Sequence, residues 1–313
     1  MIFSGERVMR LFGKTSIDFM GKRKTWYIVS TVVILVGMGS LFVKGVDYGI
    51  DFRGGTELIV QFANNVQVGD VRSAMEKIGF GRAEIKTFGS DRDILIRTSE
   101  PGEGNIIAEQ IRAGLTAHFP TNPFTVLKED KIGPKIGAEL RRDALYAIIA
   151  SLIAICLYVA FRFKFIYGVG AVVALFHDVL VTLGIISLFD GVFNLEISQN
   201  MVAAFLTLVG LSVNDTVVIF DRIRENQKVF RSMGLIELIN KSLNETLSRT
   251  IITSGTIFVV LVVLLIFGGE VNRGFSFALV IGIVTGTYSS IYIASAVVVE
   301  WAERSKRKAK LID

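Results

Sequence analysis

The stretch LTLVGLSVNDTVVIFDRIREN, residues 206–226, has the composition of a membrane helix as far as Phe220, yet it carries Asn214 and Asp215 inside it. An acid at the centre of such a helix costs about 2.5–3.5 kcal/mol on insertion scales, so an acid kept there points to proton exchange or to pairing within the bundle. Thr207, Ser212 and Asp215 are expected on one side of the helix by their i+3 and i+8 spacing, with Asn214 and Thr216 widening the polar side. Arg249 borders the next apolar run, and Thr253 lies one turn deeper on the same face. Asp215 stands six residues before Asp221, about 9 Å from the helix end at 1.5 Å per residue, so Asp215 and Arg249 are expected to meet at similar depth. Burial opposes the charge on such an acid and a guanidinium favours it, which is how a proton-exchanging carboxyl is poised. A hydrogen-bond clamp between helices is the competing reading. His177 and Asp178 form a second intramembrane pair of candidates. Adjacent helical residues point about 100° apart, so these two need not share a site, and a structural role is their first reading.

Other chemistry is excluded by spacing. Gly13-Lys14-Thr15 invites a nucleotide loop, but the position where that motif needs its first glycine is Val8. No His-Glu-x-x-His or Cys-x-x-Cys is present, and the one cysteine, Cys156, lies in an apolar run. No enzyme active site, metal or organic cofactor is therefore expected. Asp178 and Asp215 lack the Gly-x-Gly-Asp setting of an intramembrane aspartyl protease. VDYGIDFRGGT at 46–56 holds Gly49, Asp51, Arg53, Gly54 and Gly55 and reads as a tight junction.

The elements that must hold these residues follow from hydropathy. Of 313 residues 51% are hydrophobic and the mean hydropathy is +0.54, which calls for several membrane spans and a polar part. Six runs are long enough: Trp26 to Val43, Ala144 to Phe161, Phe165 to Phe189, Ile197 to Phe220, Thr250 to Phe267 and Phe275 to Val299. Lysine and arginine crowd the N-terminal segment, the Arg-Phe-Lys turn at 162–164, the loop after Asp221 and the RSKRKAK tail. By the positive-inside rule both termini are cytoplasmic and residues 44–142 lie outside. The first span has a basic leader but no small-residue cleavage site after it, so it reads as a retained anchor.

Between spans one and two the periodicity alternates in the order βαββαβ, the pattern of a ferredoxin-like α+β sandwich. Residues 44–142 hold 14 Lys/Arg against 14 Asp/Glu, a balance that gives no basic surface for nucleic acid. The expected organisation is thus an N-terminal segment 1–25, a span 26–43, an external domain 44–142, a five-helix bundle 143–300 with a cytoplasmic loop 222–249, and a basic tail 301–313 suited to anionic lipid. The loop stretch LIELINKSLNETLS is expected as a helix along the bilayer surface or as a solvated connector.

Several of these segments together resemble a known family. GIDFRGGTELIVQF at 49–62, DKIGPKIGAELRRDA at 130–144, ALFHDVLVTLGI at 174–185, VGLSVNDTVVIFDRIREN at 209–226 and SRTIITS at 248–254 are similar to motifs of the SecF subunits in the SecD/SecF family, within the resistance-nodulation-division superfamily. The resemblance implies a subunit of the bacterial cytoplasmic (inner) membrane that pairs with SecD. It also implies association with the SecYEG channel and YajC, and use of the proton-motive force in late steps of preprotein translocation. The acid matching Asp215 and the arginine matching Arg249 are then implicated in proton passage, with Thr253 beside them. Whether Na⁺ replaces H⁺ stays open. A proton-driven small-molecule or lipid exporter of the same superfamily, or a passive membrane scaffold, are the alternatives.

Overall fold

The computed structural model describes residues 15–100, 106–163, 165–193 and 195–310. Arg7, Arg10 and Lys14 of the N-terminal segment, Lys164 of the basic turn and residues 311–313 of the tail lie outside the described residues, as do the side chains from 306 onward.

Among the described residues six helical segments are long and apolar enough to cross a membrane. The first is α1 (Arg23–Lys44), entered through a turn at Met20–Lys22. A short helix α2 (Ile50–Arg53) then leads into a sheet domain built from β1 (Gly55–Phe62), α3 (Val68–Lys77), β2 (Glu84–Phe88), β3 (Ser90–Thr98), α4 (Ile106–His118) and β4 (Phe124–Ile132). The remaining spans are α5 (Pro134–Arg162), α6 (Phe165–Phe193), α7 (Gln199–Val229), α8 (Leu235–Phe267) and a composite last helix. That helix is α9 (Gly269–Ser289), a π turn at Ser290–Ala294 and α10 (Ser295–Lys310).

The sheet is antiparallel in the order β2-β3-β1-β4. Alternation along the strands divides it into two faces. Leu58, Val60 and Phe62 of β1 and Ile94 and Ile96 of β3 point to one side and pack with Val71 and Met75 of α3 and Ile107, Ile111 and Leu115 of α4. Glu57 and Arg97, each one position beyond these residues, face the other way and pair directly across the β1–β3 register.

Three boundaries differ from the sequence expectation. The second span begins at Pro134, ten residues before Ala144, because proline is at home in a first helical turn and no further proline follows it in the helix. The polar stretch from Leu235 is neither a surface helix nor a connector. It runs without interruption into span five as one 33-residue helix, since neither proline nor glycine occurs between Leu235 and Ser254. The expected loop 222–249 shrinks to residues 230–234, and its Arg222–Glu245 ion pair at 2.6 Å joins two helices.

Close approach sets the helix pairing at one point above all. An added Cβ at Gly37 of α1 would lie 2.5 Å from the Cα of Gly184 on α6, and one at Gly184 would lie 2.8 Å from the Cα of Gly37. This contact brings α1 and α6 backbone to backbone, as small residues allow in membranes. Between these helices Ser40 and Ser187 also share a hydrogen bond of 3.0 Å.

Candidate functional site

The acids inside the helical bundle are held in two groups of polar residues, and a third group joins the bundle to the sheet domain. The first is centred on Asp215, which α7 buries to 6% exposure. Its Oδ2 accepts a hydrogen bond from Ser254 Oγ of α8 at 2.8 Å. Arg249 is close enough for its charge to act on Asp215, but the two form no ion pair among the described residues, and Arg249 is exposed. Thr253 is half-buried, and the residue that reaches the acid is its neighbour Ser254, rotated by about 100° on the helix. The expected polar side of α7 divides in two. Ser212, Asp215 and Thr216 face inward, whereas Thr207 and Asn214 are exposed, with Thr207 turned back on the carbonyl of Ala203 at 2.8 Å. Thr216 instead meets Ser290 at 2.8 Å, where the last helix enters its π turn.

The second group joins four helices. His177 and Asp178 do share one site: His177 Nδ1 lies 3.0 Å from Asp178 Oδ1, in spite of the angle between adjacent residues. Asp178 is fully buried, and its Oδ2 accepts hydrogen bonds from Ser212 of α7 at 2.6 Å and Ser289 of α9 at 2.9 Å. His177 Nε2 is 2.6 Å from the hydroxyl of Tyr288, which is 2.9 Å from Ser30 Oγ of α1. Ser30, Tyr288, Ser289 and Ser254 were not legible as partners, because single serines and tyrosines are common in spans.

The third group clamps the sheet domain to one end of the bundle. The polar sheet face carries Arg97, 4% exposed, whose guanidinium donates to Glu57 at 2.6 Å and to Glu84 at 3.2 Å within the sheet. It also donates at 2.6 Å to Glu196, in the connection between α6 and α7. Lys86 adds a second bond to Glu196 at 2.6 Å. Burial works to raise the Glu196 carboxyl, but Arg97 and Lys86 outweigh it and hold it below its ordinary value. Asp47 is shifted the other way, upward, by burial and then by the charges of Glu84 and Glu196. Asp47, Glu84 and Glu196 approach one another closely enough to suggest a cation site, but Arg53, Lys86 and Arg97 already supply the positive charge.

The junction motif sits beside this clamp. Gly55 has φ +130°, and a Cβ there would lie 2.3 Å from the carbonyl oxygen of Thr98; Gly54 has φ +74° with the Pro134 backbone at 2.8 Å. Both positions demand glycine on backbone grounds. Gly137 of α5 in turn presses on Gly54, so the two junctions meet each other rather than serving as free swivels. Gly49 N–H donates to Ile197 O at 3.0 Å, and Arg53 pairs with Asp47 at 2.7 Å. Asp51 accepts the backbone N–H of Gln199, the first residue of α7, at 2.8 Å, and Ser198 caps the same end. The junction thus caps the helix that carries Asp215. Asp51→Ala is expected to cost about 1 kcal/mol, as losses of a capping acceptor do, with faster amide exchange confined to the first turn of α7.

Ionisable side chains buried between apolar spanning helices, with an α+β domain clamped to one end, define a multi-pass membrane protein with ionisable groups inside its bundle. The sequence comparisons agree with this class. Residues 114–304 match the family described as "Protein export membrane protein SecD/SecF, C-terminal", and residues 39–66 match the "SecD/SecF GG Motif". The "Protein translocase subunit SecF" of Rhodothermus marinus is 46% identical over 305 residues, covering 97% of this chain and 99% of that protein. The "Protein translocase subunit SecDF" of Thermus thermophilus is 40% identical over 298 residues, covering 92% of this chain and 39% of that longer protein. The crystal structure of SecDF, a translocon-associated membrane protein from Thermus thermophilus, superposes with a TM-score of 0.83 at 40% identity over 92% of this chain. A SecDF crystal structure in a super-membrane-facing form superposes with 0.71 at 38% identity over 96% of this chain. This chain spans 39% and 41% of those two SecDF chains. The chain belongs to the SecD/SecF family.

Proposed function

We propose that this chain is a SecF-type accessory subunit of the Sec translocase, which couples proton flow through its bundle to movement of its sheet domain on an exported polypeptide. The observation that carries the proposal is Asp215: a carboxyl 6% exposed in an apolar span, with Ser254 as its hydrogen-bond partner. An ionised carboxylate offers about four acceptor positions. One serine and an unpaired arginine nearby leave this one under-satisfied as a charge. A proton relieves the cost of burying it, and loss of the proton restores the attraction to Arg249. In this reading Asp215, Arg249 and Thr253 form the proton pathway, with Asn214 on the outer surface beside it, while Ser212, expected with them, turns to Asp178; H⁺ is the coupling ion and Na⁺ the variant to be tested.

The partner is argued from the exposed side of the bundle. Asn214 and Arg249 are polar groups on the outer surface of spanning helices, next to exposed Thr207 and Gly210. A polar, small-residue surface at membrane depth calls for another set of helices rather than lipid. SecD is the partner proposed, as a relative joins SecD and SecF in one SecDF chain. SecYEG, YajC and unfolded preproteins complete the proposed assembly in the bacterial inner membrane. The sheet domain is read as ferredoxin-like from its element and strand order. The basic residues around Arg222 and in the tail support cytoplasmic termini and an outward-facing sheet domain. The motion would pass from α7 to that domain through Asp51 and Glu196, which bind α7 and the α6–α7 connection to it.

The test is preprotein transport into vesicles carrying wild-type or Asp215→Asn subunit at matched levels and with SecD still bound. The wild type is expected to gain transport from an imposed proton gradient and the variant to gain none. A full gradient response in Asp215→Asn would remove Asp215 from the coupling.

A further inference from the structure

We infer that His177 and Asp178 form a second proton-binding site of this subunit, loaded from the sheet-domain end of the bundle and separate from Asp215. The inference rests on the proton-coupled reading above, and its experiment separates the two.

Asp178 is at 0% exposure and accepts from His177, Ser212 and Ser289. Three donors suit an ionised carboxylate, which only accepts. His177 is the one basic group in contact with it among the described residues. A bare negative charge this deep is costly, and one proton on the imidazole cancels it. The pair therefore holds a single exchangeable proton between them.

The chain of hydroxyls beyond the ring suits both states. With neutral His177, Nδ1–H donates to Asp178, Nε2 accepts from Tyr288 O–H, and the Tyr288 oxygen accepts from Ser30. With doubly protonated His177, Nε2–H donates to Tyr288, whose own O–H turns to donate to Ser30. Two hydroxyl rotations accommodate the proton without displacing a heavy atom. A purely structural clamp has no need of an arrangement that works in both directions. Only an N–H bond is made on loading and broken on release: the proton comes from water and returns to water or to the next acceptor.

The facing groups are few. Ser30 of α1 and Tyr288 and Ser289 of α9 are uncharged, and from α7 Asp215 follows Ser212 by one turn.

The direction of loading is inferred from a crevice at the sheet-domain end that stops short of the pair. A crevice of about 280 Å³ has Asp47 and Asp190 in its wall. On α6 that wall continues through Ser187 and Leu183 to Val179, the residue after Asp178. Asp190 lies at the end of α6 that carries the sheet domain. Thr182, one turn from Asp178 and fully buried, has a hydroxyl with no hydrogen-bond partner among the described residues. A buried hydroxyl left unpaired is unfavourable, so this one offers a bonding position for a water molecule beside the pair.

The chain has two histidines, so ¹⁵N-histidine labelling of this chain gives two sets of ring-nitrogen signals and His118→Gln leaves those of His177 alone. The labelled chain, reconstituted with its SecD-type partner, is followed by NMR between about pH 5 and pH 8, where imidazoles exchange protons. We expect His177 to pass between singly and doubly protonated forms, and Asp178→Asn to abolish that transition. In the transport assay Tyr288→Phe, which leaves the carboxylate and its serine donors intact, is expected to cut the gradient-driven component about tenfold or more. A His177 signal unchanged across this range, or Tyr288→Phe transport that matches wild type, overturns the inference. If either occurs while Asp215→Asn still abolishes the gradient response, the reading of Asp215 stands. If instead His177 titrates and Asp215→Asn transports normally, the proton site stands and the Asp215 reading fails.

Discussion

Replacing Arg97 with alanine is expected to cost the sheet domain and its attachment about 3–5 kcal/mol, the scale for removing one partner of a buried ion pair. The magnitude follows from what is left behind. Glu57, 7% exposed at its side chain, loses its 2.6 Å partner, and Glu196 keeps only Lys86. Arg53→Ala, by contrast, breaks an ion pair whose side chains are 43% and 28% exposed, and should cost no more than about 1 kcal/mol. Hydrogen exchange on the full chain distinguishes the two: Arg97→Ala accelerates exchange in β1 and β3 and around Ile197, whereas Arg53→Ala changes it little. The attachment has a defined pH dependence. The Glu196 carboxyl is held below its ordinary value of 4.5, so its stabilisation is fully present above that pH and is lost only as pH falls through the lowered value. Asp47 is shifted upward, so it takes up a proton earlier, while the Arg97–Glu196 bond is still intact. Mild acid should therefore leave the sheet domain attached. Detachment near neutral pH would show that Glu196 does not hold it.

Replacing Gly184 with valine is the second large effect. The nearest atoms to an added Cβ belong to the Gly37 backbone, at 2.8 Å, and backbone cannot step aside as a flexible side chain does. Overpacking ordinarily costs about 1–3 kcal/mol, and this case should reach the upper end or exceed it, because the helices themselves must part. Separation of α1 from α6 would also stretch the Ser40–Ser187 hydrogen bond. Thermal unfolding in detergent should show a lowered midpoint for Gly184→Val. Gly191→Val, with open space around its Cβ, should leave it unchanged.

Much of this arrangement was legible in the sequence, for physical reasons that also mark where legibility stops. Apolar length located all six spans, and the switch between periods of two and three to four outlined the strands and helices between the first two. The ends of the spans were harder, because hydropathy marks where a helix leaves apolar surroundings and not where it stops being a helix. α8 illustrates this: its polar first turns, Leu235 to Arg249, are as helical as its apolar remainder. The π turn at Ser290–Ala294 had no local signal in residue types that suit ordinary helix equally well.

Within the site, Asp215 announced itself by its cost. Thr253 was expected beside the acid and Ser254 is the residue that bonds it, because a face argument cannot decide between neighbours 100° apart. Whether His177 and Asp178 would share one site depended on side-chain rotation, which spacing does not report. Glu196 carried no signal of its own in the sequence, yet it binds Arg97 and Lys86 and so helps hold the sheet domain to the bundle. The charged sheet face could have been found from Glu57 and Arg97, which alternate with the apolar positions of their strands.

The most direct test of proton-driven domain movement is a distance measurement between spin labels on the sheet domain and the bundle. The single native cysteine, Cys156, is replaced with serine, and labels are introduced at Asn122 and Val192, in the full chain with its SecD-type partner. The account predicts that an imposed proton gradient changes the distance distribution in the wild type, and that Asp215→Asn holds it in a single state whether or not the gradient is present. The same gradient-dependent change in both proteins would contradict it.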